Sequence, residues 1–229
     1  MRFLQTEIIA HRGASAAFPE NTVEAFRGAR GLGASWVELD VRRTADGRLA
    51  VHHDAHLSDG RAIVELRAAE LPSRVPSLAE ALDACAPLGV NVEIKNSPND
   101  VDFDATAALV EPVIADIRAG SVEVLVSSFH APTLDRVRAV DPSIETGQLT
   151  FDLSDPPRTV QRAVAAGHAA LHPFDVTVTP GLVELAHEAG LRLNVWTVDD
   201  PTRMVALAEM GVDGIVTNVP DVAVSALRR

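Results

Sequence analysis

The amino-acid sequence predicts an α/β protein that folds as a (β/α)8 TIM barrel, in one domain covering residues 1–229. Short apolar runs rich in β-branched residues alternate with longer alanine-rich segments of helical period, which is the pattern of βα units and a parallel sheet. Eight such units follow one another without a Pro/Gly/Ser-rich linker, and a single barrel of this kind typically has about 250 residues. Because no G-x-G-x-x-G motif follows the first strand, a closed barrel is favoured over an open nucleotide-binding sheet.

The predicted strands are short apolar runs, and each precedes a segment of helical period. They cover residues 6–11, 36–41, 90–95, 122–128, 144–149, 169–173, 192–198 and 213–218. The predicted helices cover residues 22–31, 77–85, 103–118, 131–139, 156–166, 180–189, 201–210 and 221–228.

Start signals support several of these helices. Asn21 is the expected N-cap of the first helix, with Glu24 at its third position. Thr179-Pro180 and Asp200-Pro201 each place an N-cap residue before a proline at the first helical position, where its missing N–H costs nothing.

One segment departs from the βα alternation. Thr44-Ala45-Asp46-Gly47 is a turn signal, and the run 49–53 after it has the composition of a further strand. The chain is therefore predicted to fold back as a small hairpin after the second strand. That hairpin would lie at the carboxyl end of the strand, the face on which barrel active sites are built.

Composition and charge limit the possible partners. With 47% hydrophobic and 23% charged residues the chain has the composition of a globular protein with a sizeable core. The formal net charge of −12 repels nucleic-acid phosphates and anionic lipid headgroups, so nucleic acid is not an expected partner. Cys85 is the only cysteine, which excludes an intrachain disulfide and a cysteine-based zinc site. No signal-peptide pattern or membrane-spanning run is present, so we expect a cytoplasmic protein without stable membrane association.

Acidic residues occupy strand positions that normally carry packing residues. Glu38 and Asp40 lie two apart on the second strand and therefore face the same side, and Glu93 lies on the third. Because neighbouring strands are about 4.8 Å apart, the three carboxylates should converge and repel one another unless a cation lies between them. They are a natural oxygen cage for one divalent cation, Mg²⁺ or Ca²⁺.

Basic and imidazole side chains follow the same strand ends. Arg12 and Lys95 supply positive charge beside the carboxylates, which suits a phosphate group. His11 on the first strand and His53 at the end of the hairpin could act as an acid/base pair around that phosphate. The combination indicates metal-assisted cleavage of a phosphodiester.

Each of these features has a simpler structural explanation when taken alone. The Glu38 and Asp40 pair could form a solvated face or an ion pair, and Glu93 could simply bridge to Lys95. His11 could be an interior histidine with satisfied hydrogen bonds. The aromatic residues Phe129 and Trp196 could fill the barrel or line a substrate pocket. The functional interpretation depends on all the polar groups falling at consecutive strand ends.

Several longer motifs, taken together, resemble the glycerophosphodiester phosphodiesterase family from the first strand to the last. They are His11-Arg12-Gly13, Glu20-Asn21-Thr22, Glu38-Leu39-Asp40-Val41, Thr44-Ala45-Asp46-Gly47, Val51-His52-His53-Asp54, Val75-Pro76-Ser77-Leu78, Val92-Glu93-Ile94-Lys95, Ser127-Ser128-Phe129, Trp196-Thr197-Val198 and Asp213-Gly214-Ile215-Val216-Thr217.

The resemblance implies a (β/α)8 barrel that hydrolyses glycerophosphodiesters, such as glycerophosphocholine or glycerophosphoethanolamine, to sn-glycerol 3-phosphate and an alcohol. It implies metal ligands at Glu38, Asp40 and Glu93, and an acid/base pair of His11 and His53. It further implies that Arg12 and Lys95 bind the phosphate. Phe129 and Trp196 are additional candidates for substrate contact. Two alternatives stay open: a lysophospholipase D-like activity on single-chain lipids, which predicts an apolar groove at the barrel mouth, and a barrel that binds a phosphate ester without cleaving it.

Two positions depart from the family pattern. The segment 57–62 stands where the family usually has an L-x-R-x-T motif and a longer insertion, which leaves the substrate preference open. Asn218 follows Thr217 where an acidic residue is common, and we expect this to change only a contact with a residue of the site, one step away from the substrate.

Overall fold

The computed structural model describes residues 6–228, in which eight parallel strands form a closed ring. The strands are β1 (Glu7–His11), β2 (Trp36–Arg43), β4 (Gly89–Ile94), β5 (Val124–Ser128), β6 (Glu145–Thr150), β7 (Ala170–Pro173), β8 (Arg192–Val195) and β9 (Gly214–Thr217). Each strand pairs with the next in parallel, β4 directly with β2, and pairing of β1 with both β9 and β2 closes the ring. The predicted (β/α)8 barrel is therefore confirmed.

Eight helices surround the barrel in the described part of the chain. They are α1 (Val23–Gly31), α2 (Leu78–Cys85), α3 (Val110–Ala119), α4 (Ala131–Val140), α5 (Pro156–Ala165), α6 (Pro180–Glu188), α7 (Pro201–Met210) and α8 (Pro220–Leu227). Thr179 and Asp200 are the N-caps of α6 and α7, as predicted, and each accepts a hydrogen bond from the backbone N–H three residues later. Among residues 6–228, none of the helices is both long enough and apolar enough to cross a membrane.

The excursion after β2 is the predicted hairpin. Strand β3 (Leu49–Val51) runs antiparallel to β2 and pairs with its last three residues. The chain then forms two short 3-10 turns, at Ile63–Glu65 and Ala68–Glu70, before it reaches α2. A separate small apolar cluster supports this segment and consists of Ala50, Leu57, Ile63 and Leu66. The hairpin thereby projects from the carboxyl end of β2 and carries His53 to the rim of the barrel.

The two faces of β2 show how the strand positions the site. Val37, Leu39 and Val41 belong to the main apolar core of the protein. Glu38 and Asp40 alternate with them and, because successive side chains of a strand point to opposite faces, lie on the interior side of the barrel. The same alternation on β4 places Val92 in the apolar core and Glu93 on the interior side.

The predicted helix 103–118 begins later than expected, at Val110. The carboxylate of Asp104 accepts hydrogen bonds from the backbone N–H groups of Thr106 and Ala108, which holds this stretch in turns. The backbone N–H of Asp104 in turn donates to the side chain of Asn96, just after β4. These side-chain contacts stabilise a loop where the apolar spacing alone predicts a helix. The predicted strand 192–198 is also shorter, because β8 ends at Val195.

Candidate active site

Three acidic side chains meet inside the carboxyl end of the barrel. Glu38 and Asp40 on β2 and Glu93 on β4 are all buried. The parallel register pairs Asp40 with Glu93, and one oxygen from each of the three residues lies within 4.8 Å of the other two. The structure thus brings together the three carboxylates that the sequence predicted to converge.

The three carboxylates repel one another, and one of their buried oxygens has no hydrogen-bond donor within residues 6–228. Burial, followed by the charges of Asp40 and Glu93, raises the pKa of Glu38 well above its usual value. Burial also raises the pKa of Glu93. The buried Oε1 atom of Glu38 has no hydrogen-bond partner in the described part of the chain. Three converging carboxylates with an unpaired buried oxygen fit a hard divalent cation, which prefers oxygen ligands and would offset their repulsion.

Two basic side chains lie beside the carboxylates. Lys95 Nζ is 2.8 Å from Glu93 Oε1 and 3.6 Å from Asp40 Oδ1. Arg12 Nε is 3.4 Å from Asp40 Oδ2, and its backbone N–H donates to Glu38 at 3.0 Å. Burial acts to raise the pKa of Asp40, but Lys95 and the other nearby positive charges outweigh it and hold that pKa below its usual value. Positive charge suited to a phosphate therefore lines the same cavity as the carboxylates.

The first histidine is held by an amide. His11 Nδ1 lies 2.7 Å from Asn218 Oδ1, and His11 Nε2 is 3.9 Å from Glu38 Oε2. The orientation of the Asn218 amide is fixed because its Nδ2 donates to a carboxylate oxygen of Asp199, which can only accept. Asn218 Oδ1 therefore accepts from His11, so the ring proton is on Nδ1 and Nε2 is free. Burial lowers the pKa of His11, and the charge of Arg12 lowers it further.

The second histidine lies just beyond the end of β3. His53 Nδ1 is 2.7 Å from the Asp54 carboxylate, and its backbone oxygen accepts a hydrogen bond from Arg42 Nε at 2.8 Å. Burial is the largest cause that lowers the pKa of His53, and the charge of Lys95 adds to it. His11 and His53 line one cavity together with Glu38, Glu93 and the basic residues.

Aromatic side chains form the opposite wall of this cavity. One follows each of four consecutive strands directly: Phe129 after β5, Phe151 after β6, Phe174 after β7 and Trp196 after β8. Phe129 stacks on Phe151 at 4.8 Å, and Trp196 lies edge-on to both. We call these four residues the aromatic wall, of which Phe129, Phe151 and Trp196 line the cavity, whereas Phe174 contacts it only through Phe151 and Trp196. The cavity has a volume of about 550 Å³, with charged groups on the β1, β2 and β4 side and the aromatic wall on the β5 to β8 side.

Comparison with known proteins decides the family. The family model described as "Glycerophosphoryl diester phosphodiesterase family" matches residues 11–222. The chain belongs to this family. The match spans the motifs at the first and last strands, and it confirms the resemblance drawn from the sequence together with the enzyme class that it implies.

Several known proteins align with nearly the whole chain. A glycerophosphodiester phosphodiesterase of Caldanaerobacter subterraneus subsp. tengcongensis is 32% identical, with 99% of each chain covered. The crystal structure of a glycerophosphodiester phosphodiesterase from Thermotoga maritima is 25% identical, with a TM-score of 0.83 over 96% of this chain and 97% of that one. A phosphodiesterase of Oleispira antarctica, solved in complex with the product sn-glycerol-3-phosphate, is 24% identical, with a TM-score of 0.90 over 98% of both chains.

The structure corrects one sequence prediction at this site of the glycerophosphodiester phosphodiesterase fold. Asn21 is not the N-cap of α1. Thr22 takes that position, and its hydroxyl accepts from the backbone N–H of Ala25. This difference arises because the path of a loop, which local sequence does not fix, decides what an asparagine can reach. Asn218 contacts His11 and does not line the cavity itself, as expected from the sequence.

Asn21 instead supports one of the candidate metal ligands. It is buried, has a left-handed backbone with φ of 55°, and donates from Nδ2 to Asp40 Oδ2 at 2.8 Å. Asparagine tolerates this conformation better than most residues. Its position in the loop after β1, on the active face of a barrel, is the sequence signal that could have identified it.

Replacing Asn21 with alanine is expected to weaken divalent-metal binding by about 10–100-fold, because outer hydrogen-bond partners orient metal-binding carboxylates. Isothermal titration of the purified protein with Mg²⁺ and with Ca²⁺ measures the effect. The exposed Asn99 lies in the loop after β4, and its replacement by alanine is the matched control. Equal metal affinities for the Asn21→Ala variant and the unchanged protein would remove Asn21 from the site.

Proposed function

We propose that this protein is a divalent-metal-dependent glycerophosphodiester phosphodiesterase that releases sn-glycerol 3-phosphate and an alcohol from substrates such as glycerophosphocholine or glycerophosphoethanolamine. The observation that supports it most is the placement of the carboxylate cluster, Arg12, Lys95 and both histidines around one cavity. The complex of the Oleispira antarctica phosphodiesterase with sn-glycerol-3-phosphate as its product is consistent with this reaction.

The proposed roles follow from charge and geometry. Glu38, Asp40 and Glu93 would hold one divalent cation, which supplies Lewis-acid stabilisation of the phosphate oxygens. The phosphate group binds against Arg12 and Lys95, whose positive charges balance its negative charge. Burial acts to lower the pKa of Lys95, but Glu93 and Asp40 outweigh it, and the raised pKa keeps this ammonium charged.

Proton transfer is assigned to the two imidazoles. One takes a proton from the attacking oxygen, and the other gives a proton to the departing alcohol oxygen as its bond to phosphorus breaks. In both rings Nδ1 makes a hydrogen bond to a nearby side chain: His11 bonds to Asn218, and His53 bonds to Asp54. Nε2 is therefore the nitrogen that each ring offers to the substrate.

The direct test is to incubate the protein with glycerophosphocholine and Mg²⁺ or Ca²⁺, and to follow sn-glycerol 3-phosphate. Turnover that chelation removes and either metal restores is the expected result, and the better-supporting ion identifies the preferred cofactor. Binding of sn-glycerol 3-phosphate without turnover of any glycerophosphodiester would instead identify a phosphate-ester binder.

The aromatic wall favours a second candidate substrate, a single-chain lysophospholipid. Phe151 remains 61% exposed at the mouth of the cavity, where the lysophospholipase D-like alternative predicts an apolar groove. An acyl chain lying against these rings would bury their apolar surface.

Replacing Phe151 with alanine separates the two substrates. For lysophosphatidylcholine we expect kcat/KM to fall about tenfold, which corresponds to about 1.4 kcal/mol of lost contact, while kcat/KM for glycerophosphocholine changes little. Val164 on α5 is also exposed, and its replacement by alanine serves as control. Absence of lysophosphatidylcholine cleavage by the unchanged protein would eliminate this second candidate.

A further inference from the structure

Arg42 is a buried arginine at the edge of the site, and the roles proposed above do not include it. Only 3% of its side chain is exposed. Nε donates to the backbone oxygen of His53 at 2.8 Å, and Nη1 donates to both oxygens of Asp102 at 2.8 and 2.7 Å. Nη2 donates to Asp100 at 2.9 Å. With four hydrogen bonds to protein oxygens, this guanidinium is committed to the protein, whereas the buried Nε of Arg12 has no hydrogen-bond partner among the described residues.

These bonds join two separate segments of the chain. His53 belongs to the hairpin after β2, and Asp100 and Asp102 belong to the loop between β4 and α3. That loop is closed at its base by Asn96, whose side chain bonds to the backbone N–H and C=O of Asp104. Arg42 holds the tip of the same loop. Residues 96, 97 and 100 of this loop line the same cavity as His53.

The chemistry of the contact demands an arginine. A guanidinium presents its donors in a rigid planar fork, so it can bind one carboxylate through two bonds and still direct Nε to a carbonyl. Asp102 is as buried as Arg42, with 3% of its side chain exposed. Because an unpaired buried charge is costly, the pair keeps its geometry and fixes the distance between the hairpin and the loop.

We propose that Arg42 is a positioning residue that holds His53 in a fixed position relative to the loop of residues 96–104. This inference depends on the proposed function only in taking His53 as one of the two proton-transfer groups. Arg42 also lines the cavity, but its four hydrogen bonds go to protein oxygens, so it acts through the backbone of His53 and through the loop. The loop that lines the cavity is thereby coupled to His53, the histidine proposed to take part in the reaction.

The test compares Arg42→Lys and Asp102→Asn with the unchanged protein. Lysine retains the charge but cannot make the four bonds, so we expect kcat for glycerophosphocholine to fall about 100-fold, as small misplacements of reacting groups do. Metal affinity should stay unchanged, since Glu38, Asp40 and Glu93 are untouched. The double variant should be no worse than Arg42→Lys alone, because that change already removes the contact with Asp102.

Two further measurements distinguish positioning from a general structural role. The ring ¹⁵N shifts of His53 should change in both variants while those of His11 do not. Arg43→Lys, at the neighbouring and less buried position, should leave kcat and both sets of shifts unchanged. Wild-type kcat together with unaltered His53 shifts in Arg42→Lys would overturn the proposal.

The design keeps the two hypotheses separable. The His53 shifts need no turnover, so a protein that proves inactive on glycerophosphodiesters still reports whether Arg42 positions this ring. If Arg42→Lys does not fold, as judged by thermal melting, Asp100→Asn replaces it, since 30% of the Asp100 side chain is exposed. Unchanged kcat and unchanged His53 shifts in a folded Asp100→Asn and a folded Asp102→Asn would refute the coupling.

Discussion

Replacement of His11 or of His53 by alanine is expected to lower the turnover of glycerophosphocholine by about 10²–10⁴-fold, the usual contribution of one positioned acid or base. Both rings line the cavity together with Glu38 and Glu93, and each has Nδ1 hydrogen-bonded to a neighbouring side chain. Losing either one leaves the nucleophile without a proton acceptor or the alcohol without a proton donor. Initial rates at saturating metal and substrate measure the loss.

The fold and the metal site should survive both changes, because neither ring belongs to the carboxylate cluster. Circular dichroism and a metal titration check this point. His56 is exposed and belongs to the segment just beyond the hairpin, so His56→Ala is the matched control and should retain the full rate. Unchanged rates in both His11→Ala and His53→Ala would contradict the acid/base assignment.

Removal of the divalent cation is the second change for which we expect a near-complete loss of turnover. Chelation should abolish the reaction. Loss of an outer hydrogen-bond partner weakens metal affinity by about 10–100-fold, and Glu38→Gln, which changes a proposed direct ligand, should weaken it more. Glutamine is nearly isosteric with glutamate but supplies only one neutral oxygen ligand. Titration with Mg²⁺ and Ca²⁺ measures the affinity, and Glu209→Gln, at an exposed position on α7, is the control.

The same cluster predicts how metal binding depends on pH. Burial and the charges of Asp40 and Glu93 raise the pKa of Glu38, so this group carries a proton at a higher pH than an ordinary glutamate does. A metal ion must displace that proton, and the affinity should therefore increase as the pH rises through the pKa of Glu38. A metal titration in Glu38→Gln that matches the unchanged protein would exclude Glu38 as a ligand.

The convergence of the carboxylates could be predicted from sequence because it depends on local rules. Period-two alternation places Glu38 and Asp40 on one face, and adjacent parallel strands bring Glu93 beside them. The hairpin follows from its turn residues in the same way. The aromatic wall could have been predicted in part. Phe129 and Phe174 directly follow the predicted strands 122–128 and 169–173, and Phe151 comes two residues after 144–149, but Trp196 lies within the predicted strand 192–198.

The contacts that the sequence did not predict depend on loop paths that spacing does not determine. Asn21 and Asn218 reach Asp40 and His11 only because two loops follow particular paths over the barrel mouth. Arg42 directly follows the predicted strand 36–41, and in the structure the loop after β4 folds onto it. The same loop explains the late start of α3, since its side-chain hydrogen bonds compete with helix formation.

The division of the cavity into a charged side and an aromatic side has a consequence for engineering. Strands β1, β2 and β4 and the hairpin after β2 carry the candidate ligands and proton carriers, while the rings follow β5 to β8. Under the proposed function, redesign of the loops after β5, β6 and β7 would retune which alcohol is released without disturbing the groups that cleave the ester. The loop after β8 has to be kept, because its Asp199 holds the Asn218 amide that is hydrogen-bonded to His11. The groups that cleave the ester and the groups that select the alcohol therefore lie on different sides of one cavity, and the second set can be changed while the first is kept.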